Sequence, residues 1–283
     1  MKEKLALIAS FLPIIALMAI GYVVPIFSNI VKSMQGAEGQ FVGIDNYIQV
    51  LTSYYFLDSL AFTLKVALVS TALAMTIAVV VALALRETFM GKKLVVLLFQ
   101  LNMTIPRMAA AMILMLLLSQ TGWLSQLSHF FGLTEGASDF PWLVRDSAGW
   151  GLIAAFTWKF FPYIGMSVLG ILQGASREYE DQAAVLGVGK FRRFWHVTLP
   201  MIIPATSIAS IIVFASAFGD YEIPAILGSS DHRMLSIYTY MKYADPIMRD
   251  HTEAYVLMIF MSLTLMAVIL AYRKLTIAEE KRS

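Results

Sequence analysis

Six long apolar runs, separated by shorter polar segments, dominate the chain. They cover approximately residues 5–30, 60–85, 94–118, 149–172, 201–227 and 254–272. Each can cross the hydrocarbon core of a membrane as a helix, which takes about 20 residues. Because only helices and closed barrels satisfy their own backbone hydrogen bonds in lipid, the pattern predicts an all-α membrane protein with six transmembrane helices. We expect residues 1–283 to form a single transmembrane domain around a core five-helix unit at about 57–272.

Some of these runs contain residues that are costly in a membrane. Thr104-Ile105-Pro106-Arg107 interrupts the third run, Lys159 lies within the fourth, and Gly219-Asp220-Tyr221-Glu222 lies towards the end of the fifth. Ionisable side chains inside a span usually face other protein or a water-filled path. The candidates for lining a polar path across the membrane are therefore Arg107, Lys159, Asp220, Tyr221 and Glu222. The alternative is that they pack against each other or against loops, or lie nearer to an interface.

The basic residues are distributed unevenly between the two sides. One side carries Lys2, Lys4, Arg86, Lys92, Lys93, Arg177, Lys190, Arg192, Arg193, Arg273, Lys274, Lys281 and Arg282. The other side carries only Lys32, Arg145, Arg233, Lys242 and Arg249. Since cytoplasmic loops hold the excess of Lys and Arg, the first set is predicted to be cytoplasmic, together with both termini.

Composition excludes several kinds of chemistry. The chain has no cysteine, so it can form neither a disulfide framework nor a thiolate site. Its four histidines lack metal-ligand spacing, and we expect neither a metal site nor a nucleic-acid partner. No GxxxxGK[ST] loop, Gly-x-Ser-x-Gly elbow or His-Glu-x-x-His sequence occurs. We therefore expect the chain not to be an enzyme.

The polar loop between the fourth and fifth runs has the most informative pattern. Tyr179, Ala183 and Leu186 fall at i, i+4 and i+7, so they share one face of a predicted helix. Gly187 then ends this helix and lets the chain change direction. The following basic and aromatic residues suit a membrane interface, and Pro200 is predicted to end this piece before the next span.

This loop resembles a cytoplasmic loop found in the integral membrane subunits of ATP-binding-cassette importers. The family loop reads E-A-A, three residues, G, nine residues, I, one residue, L-P. When the pattern is anchored on Gly187, its start falls on Asp181-Gln182-Ala183 and its end on Val197, Leu199 and Pro200. Asp replaces Glu and Gln replaces the first Ala. The segment from Phe41 to Tyr47 also resembles permeases of this family.

The resemblance implies that residues 173–200 form a coupling loop, whose helix sits in a groove of a cytoplasmic ATPase. The implied coupling residues are Tyr179, Asp181, Ala183, Ala184, Leu186, Gly187, Val197, Leu199 and Pro200. It further implies a bacterial cytoplasmic (inner) membrane location. The implied partners, besides membrane lipids, are a second and different permease subunit, two copies of the ATPase and an extracytoplasmic solute-binding protein. ATP and Mg²⁺ would bind to the ATPase, so no cofactor is expected in this chain.

Two substrate classes are open within the family. Leu186 before Gly187 resembles the polyamine, iron and sulfate branch, and the segment from Phe218 to Gly228 resembles putative polyamine (spermidine/putrescine) permeases. The segment from Phe41 to Tyr47 and the pair Leu172-Gln173 resemble sugar permeases equally well.

Asp220 and Glu222 would attract a cation, and Tyr221 could add a cation–π contact. A polyamine is therefore the expected substrate, and the alternative is a sugar or another small polar solute.

A transporter of another class, driven by an ion gradient, is the remaining alternative. Such carriers commonly contain inverted repeats, and no convincing repeat is visible between the two halves of this sequence. A secondary carrier would also work without an ATPase and would need no coupling loop.

Topology can be tested directly, because any introduced cysteine is the only one in the chain. Ser138→Cys and Ser230→Cys should react with a membrane-impermeant maleimide in intact cells. Ser176→Cys should react only after permeabilisation. The opposite labelling pattern would overturn the predicted orientation.

Overall fold

The computed structural model describes residues 11–87, 89–246 and 251–280. Six helical segments in this part of the chain are long and apolar enough to cross a membrane. They are Phe11–Ser33, Tyr54–Arg86, Arg107–Phe130, Trp150–Gln173, Lys190–Phe218 and Thr252–Ala271. Among the described residues the only β-pairing is an isolated bridge between Gln35 and Phe41. The predicted fold class is confirmed.

Most helices follow one another with short connections. In chain order the helices are α1 (Phe11–Ser33), α2 (Asp45–Leu51), α3 (Tyr54–Arg86), α4 (Lys92–Thr104), α5 (Arg107–Leu118), α6 (Trp123–Phe130), α7 (Trp150–Gln173), α8 (Ala175–Val185), α9 (Lys190–Phe218), α10 (Glu222–Leu227), α11 (Leu235–Ala244) and α12 (Thr252–Glu280). The longest connection, residues 131–149, joins α6 to α7.

The third apolar run forms two helices instead of one. Ile105 and Pro106 are extended, with ψ angles of 126° and 145°. Proline lacks an N–H and disfavours helical geometry in the residue before it, which explains the break. With 13 residues, α4 is about 20 Å long, less than the hydrocarbon thickness of about 30 Å. A second break, at residues 219–221, separates α9 from α10.

The prediction that Pro200 ends a short piece before the fifth span is wrong. Helix α9 runs without interruption from Lys190 to Phe218. It contains a π-helical turn, Phe194–Thr198, in which the N–H of Leu199 bonds to the carbonyl of Phe194. This wider turn carries the helix past Pro200, whose nitrogen has no hydrogen to donate.

The described residues divide into two compact units. The first contains the described residues of 11–57 and 238–266. In it, the backbone carbonyl of Gln35 accepts hydrogen bonds from Asn46 Nδ2 at 3.0 Å and from Thr252 Oγ1 at 2.9 Å. One carbonyl just after α1 therefore fixes both α2 and the start of α12.

The second unit, with residues 58–237 and the described part of 267–283, has α7 at its centre. Two thirds of the apolar window of α7 is buried, more than in the other candidate spans of the described chain. Gly165 lets neighbouring helices approach α7 closely. A Cβ there would lie 2.9 Å from the ring of Phe99 on α4 and 3.8 Å from Ala78 Cβ on α3.

Candidate functional site

The two helix breaks lie in apolar runs and leave backbone polar groups without helical partners. The end of a helix exposes up to four carbonyls, and the start of a helix exposes up to four N–H groups. Lipid offers no hydrogen bonds, so these groups need partners from the protein. The charged residues predicted inside the membrane supply many of them.

Side chains of α7 satisfy the carbonyls at the end of α4. Lys159 Nζ donates to the carbonyls of Asn102 and Ile105, both at 2.7 Å. Tyr163 donates its hydroxyl to the carbonyl of Met103 at 3.0 Å. Lys159 is 2% exposed, and a cation at this position is favoured by the negative end of the helix dipole.

Helix α4 in turn supplies a hydrogen bond that is missing within α7. Pro162 cannot donate to the carbonyl of Trp158, four residues earlier. Asn102 Nδ2 donates to that carbonyl at 3.0 Å. The two helices therefore exchange hydrogen bonds at the positions where their backbones cannot satisfy themselves.

The first N–H groups of α5 and α10 are bound by carboxylates. Glu222 Oε2 accepts from the backbone N–H of Met108 at 2.8 Å. Asp220 Oδ1 accepts from the N–H of Ile223 at 2.9 Å. Negative charge is favoured at a helix start, so both carboxylates stabilise the helices that begin after the breaks.

An ion pair joins the two breaks. Arg107 Nη1 lies 2.9 Å from Asp220 Oδ2, and Ser236 Oγ donates to the Asp220 carbonyl at 2.5 Å. The Asp220 side chain is fully buried, whereas that of Arg107 is 41% exposed. Four of the five predicted path residues thus form one connected cluster, and Tyr221 lies beside it at the start of α10. A role in lining a path remains a prediction.

A groove of about 430 Å³ opens beside this cluster. Its walls come from the α4–α5 break, α7 and α9, and most of its lining is apolar. Polar groups in it come from Arg107, Tyr163, Ser167 and Ser216, and the ring of Phe160 lies among them. Phe160 is buried, with the Arg107 guanidinium over its ring, whereas Tyr163 is 37% exposed, so the groove offers hydroxyl groups, one guanidinium and the ring of Tyr163.

Helix α8 ends as the sequence predicts, at Gly187. This glycine has a φ of +78°, which a residue with a side chain rarely adopts. Its N–H bonds to the carbonyl of Ala184, and the N–H of Val188 bonds to that of Ala183, both at 3.0 Å. These two bonds form a Schellman motif, which closes the helix and reverses the chain.

The surface of α8 is largely exposed. Tyr179 and Leu186 from the predicted face are 54% and 82% exposed, and Val185 is 88% exposed. Asp181, Ala184 and Pro200 are also exposed, whereas Ala183, Val197 and Leu199 are intermediate.

Sequence reasoning missed Glu180. It is 8% exposed, and its carboxylate binds Arg86 at the end of α3 and Thr198 in α9. Glu180 lies beside Asp181 on an acidic helix, where a carboxylate looks like part of a solvated face. No signal in the sequence identifies it, because the burial of Glu180 and of its partner Thr198 is set by the packing of α3, α8 and α9.

Residues 74–276 match the family model described as "Binding-protein-dependent transport system inner membrane component". The chain belongs to this family. The matched region includes both helix breaks and α8, and the predicted family is confirmed.

Curated relatives of this inner membrane component act on several solutes. The sn-glycerol-3-phosphate transport system permease protein of Pectobacterium atrosepticum is 27% identical over 188 residues, 65% of this chain and 62% of that protein. The match therefore spans less than two thirds of that relative. The trehalose/maltose permease protein of Thermococcus litoralis is 24% identical, over 76% of this chain and 74% of that protein. The sulfate transport system permease protein of a Synechocystis strain is 28% identical, over 74% of this chain and 68% of that protein. These relatives do not support the narrower resemblance to polyamine permeases.

A solved structure has the same fold. A bacterial alginate ABC transporter, crystallised with a periplasmic protein carrying an alginate pentasaccharide, contains a chain that matches with a TM-score of 0.80. The match covers 96% of this chain and 93% of that chain at 19% identity. Identity this low supports the architecture alone.

The ion pair between the breaks predicts a non-additive pair of substitutions. Asp220→Asn keeps a side-chain acceptor for Ile223 but leaves Arg107 unpaired, and Arg107→Gln leaves a buried carboxylate unpaired. We expect each single variant to lower thermal stability in detergent. The double variant should be more stable than the sum of the single effects predicts, by about 0.5–3 kcal/mol.

Asp231→Asn, at an exposed aspartate outside the cluster, is the matched control and should leave the melting temperature unchanged. Strictly additive effects of the two single substitutions would show that the ion pair does not join the breaks.

Proposed function

We propose that this chain forms half of the translocation path of an ATP-driven importer and couples that path to a cytoplasmic ATPase. The observation that carries the proposal is α8, a helix outside the candidate spans with three exposed apolar residues, Tyr179, Val185 and Leu186. Tyr179 and Leu186 share one face, and exposed apolar residues on one face of a helix suit insertion into a groove of a partner protein. The Schellman turn at Gly187 ends this helix and directs the chain towards α9.

The remaining subunits follow from this role. The groove beside the helix breaks is open, and in the proposal a second permease subunit, encoded by a different chain, completes the path. Two copies of an ATPase bind ATP and Mg²⁺ on the side of α8, which the excess of basic residues assigns to the cytoplasm. An extracytoplasmic binding protein delivers the solute to the opposite side. The chain itself holds no cofactor in this proposal.

For the substrate we favour a carbohydrate or another small polar solute over a polyamine. The polyamine interpretation needs Asp220 and Glu222 to be available to a cation. Both carboxylates already accept hydrogen bonds within the chain, and Arg107 lies beside them. The groove presents hydroxyl groups and an aromatic ring, which suit a polar solute with many hydroxyls. The relatives for trehalose/maltose and for glycerol phosphate agree with this preference.

Coupling can be tested by comparing two glycines in one turn. Gly187→Leu must adopt a left-handed φ, whereas Gly189 has a φ of −65°, open to any residue. In the reconstituted complex, we expect Gly187→Leu to lower solute-stimulated ATP hydrolysis about tenfold or more, within the usual range of allosteric coupling. Asp181→Lys should do the same by reversing a charge on the docking helix. Gly189→Leu should behave like the wild type.

Full stimulation in an assembled Gly187→Leu complex would contradict the coupling role. Solute uptake by the chain in vesicles without any ATPase would instead identify a carrier driven by an ion gradient.

The substrate class can be tested on the cognate binding protein. A thermal-shift screen should include sugars, glycerol phosphate, sulfate, amino acids and polyamines. A ligand whose concentration is about 100 times its dissociation constant stabilises the folded binding protein by about 2.7 kcal/mol, which gives a clear rise in its melting temperature. We expect a shift with a carbohydrate or another small polar solute. A shift with spermidine or putrescine alone would restore the polyamine interpretation.

A further inference from the structure

We infer that Glu180 is a positioning residue for coupling, which ties helix α8 to the cytoplasmic ends of α3 and α9 so that the three move together. The inference rests on the proposed function, since α8 is the helix that would receive the motion of the ATPase. It assigns a role to a residue outside the docking surface.

The burial of Glu180 distinguishes it from the rest of α8. Its neighbours Tyr179 and Asp181 are exposed, whereas Glu180 is buried. Removing a carboxylate from water is unfavourable unless charged or hydrogen-bonding groups compensate. Compensation comes from two other helices, which shows that the side chain points away from the docking face.

One carboxylate oxygen makes both contacts. Arg86 Nη1 lies 2.8 Å from Glu180 Oε1, and Thr198 Oγ1 donates to the same oxygen at 2.5 Å. Arg86 is the last residue of α3, and Thr198 lies in the π turn of α9. Arg193 Nη1 also reaches the backbone carbonyl of Glu180, at 3.4 Å. The contacts of Glu180 with Arg86 and Thr198 therefore connect α8 to two membrane helices, α3 and α9.

The chain at either end of α8 cannot provide the same rigidity. Gly174 precedes the helix, and Gly187 and Gly189 follow it. Glycine is conformationally permissive, so a displacement of α8 could be absorbed by rotation at these positions. Contacts between side chains are then needed to pass the displacement on to the spans.

The surroundings of Glu180 are open as well as polar. A cavity of about 490 Å³ lies beside the Glu180 carboxylate. Its lining includes Arg86, Glu180, Lys190, Arg193 and Thr198. The helix is thus not held here by a filled apolar core. The charged contact itself connects α8 to α3, and its loss should loosen α8 without removing the docking residues.

The test uses Glu180→Gln in the complete transporter, reconstituted in nanodiscs with its ATPase and binding protein. Glu178→Gln, at an exposed glutamate of the same helix, is the matched control. We expect Glu180→Gln to copurify with the ATPase, but to lower the ratio of solute-stimulated to basal hydrolysis about fivefold or more. Glu178→Gln should keep the wild-type ratio.

Two further variants separate coupling from folding. Thr198→Val removes one hydrogen bond at nearly constant shape and should lower the ratio less than Glu180→Gln does. The exchanged pair, Arg86→Glu with Glu180→Arg, restores an ion pair and should recover part of the stimulation lost in Arg86→Glu alone.

A distance measurement gives a readout that ATP hydrolysis does not. Spin labels at Ala84→Cys on α3 and Glu178→Cys on α8 should give a narrow distance distribution, which Glu180→Gln broadens. Unchanged distances together with a wild-type stimulation ratio in Glu180→Gln would overturn the inference and leave the proposed function intact. A complex whose wild-type chain shows no ATPase-dependent uptake would overturn the proposed function itself.

Discussion

The need to satisfy backbone polar groups at two helix breaks governs the second unit of this protein. A carbonyl or N–H without a partner in an apolar environment costs several kcal/mol, by order of magnitude. The breaks at Pro106 and Gly219 would therefore be unstable in isolation. Lys159 stabilises one side of the first break and Glu222 the other, and the pair of Arg107 with Asp220 joins the first break to the second. The central position of α7 follows, because it carries Lys159.

Because Asp220 and Glu222 already have partners within the chain, they are poorly placed to attract a cationic solute. An acidic pair with no partners would raise the local concentration of cations. In this chain Asp220 pairs with Arg107, and Lys159 binds backbone carbonyls. Asp220 and Glu222 each accept a backbone hydrogen bond at the start of a helix. In the proposed importer, discrimination between solutes depends on the shape and hydroxyl groups of the neighbouring groove, together with the exposed part of Arg107. The solutes in the names of the relatives, which are glycerol phosphate, trehalose/maltose and sulfate, are all polar and are compatible with such a surface.

Helix α8 is joined to the spans by contacts of a different kind. It exposes Tyr179, Val185 and Leu186 and is bounded by glycines. Its connection to the spans depends on a buried carboxylate and on the residues that reach it from α3 and α9.

The sequence by itself determined the number of spans, the all-helical class, the interruption at Pro106 and the turn at Gly187. Each depends on local properties: apolar length, the missing N–H of proline and the permissive φ of glycine. The family followed from the spacing around Gly187 for the same reason. Only the tertiary structure decided that Lys159 binds carbonyls 57 and 54 residues away and that Arg107 pairs with Asp220, 113 residues later. It also decided that Glu180, and not Asp181, faces inward. Such partners are set by the packing of distant helices, and periodicity within one segment carries no information about them.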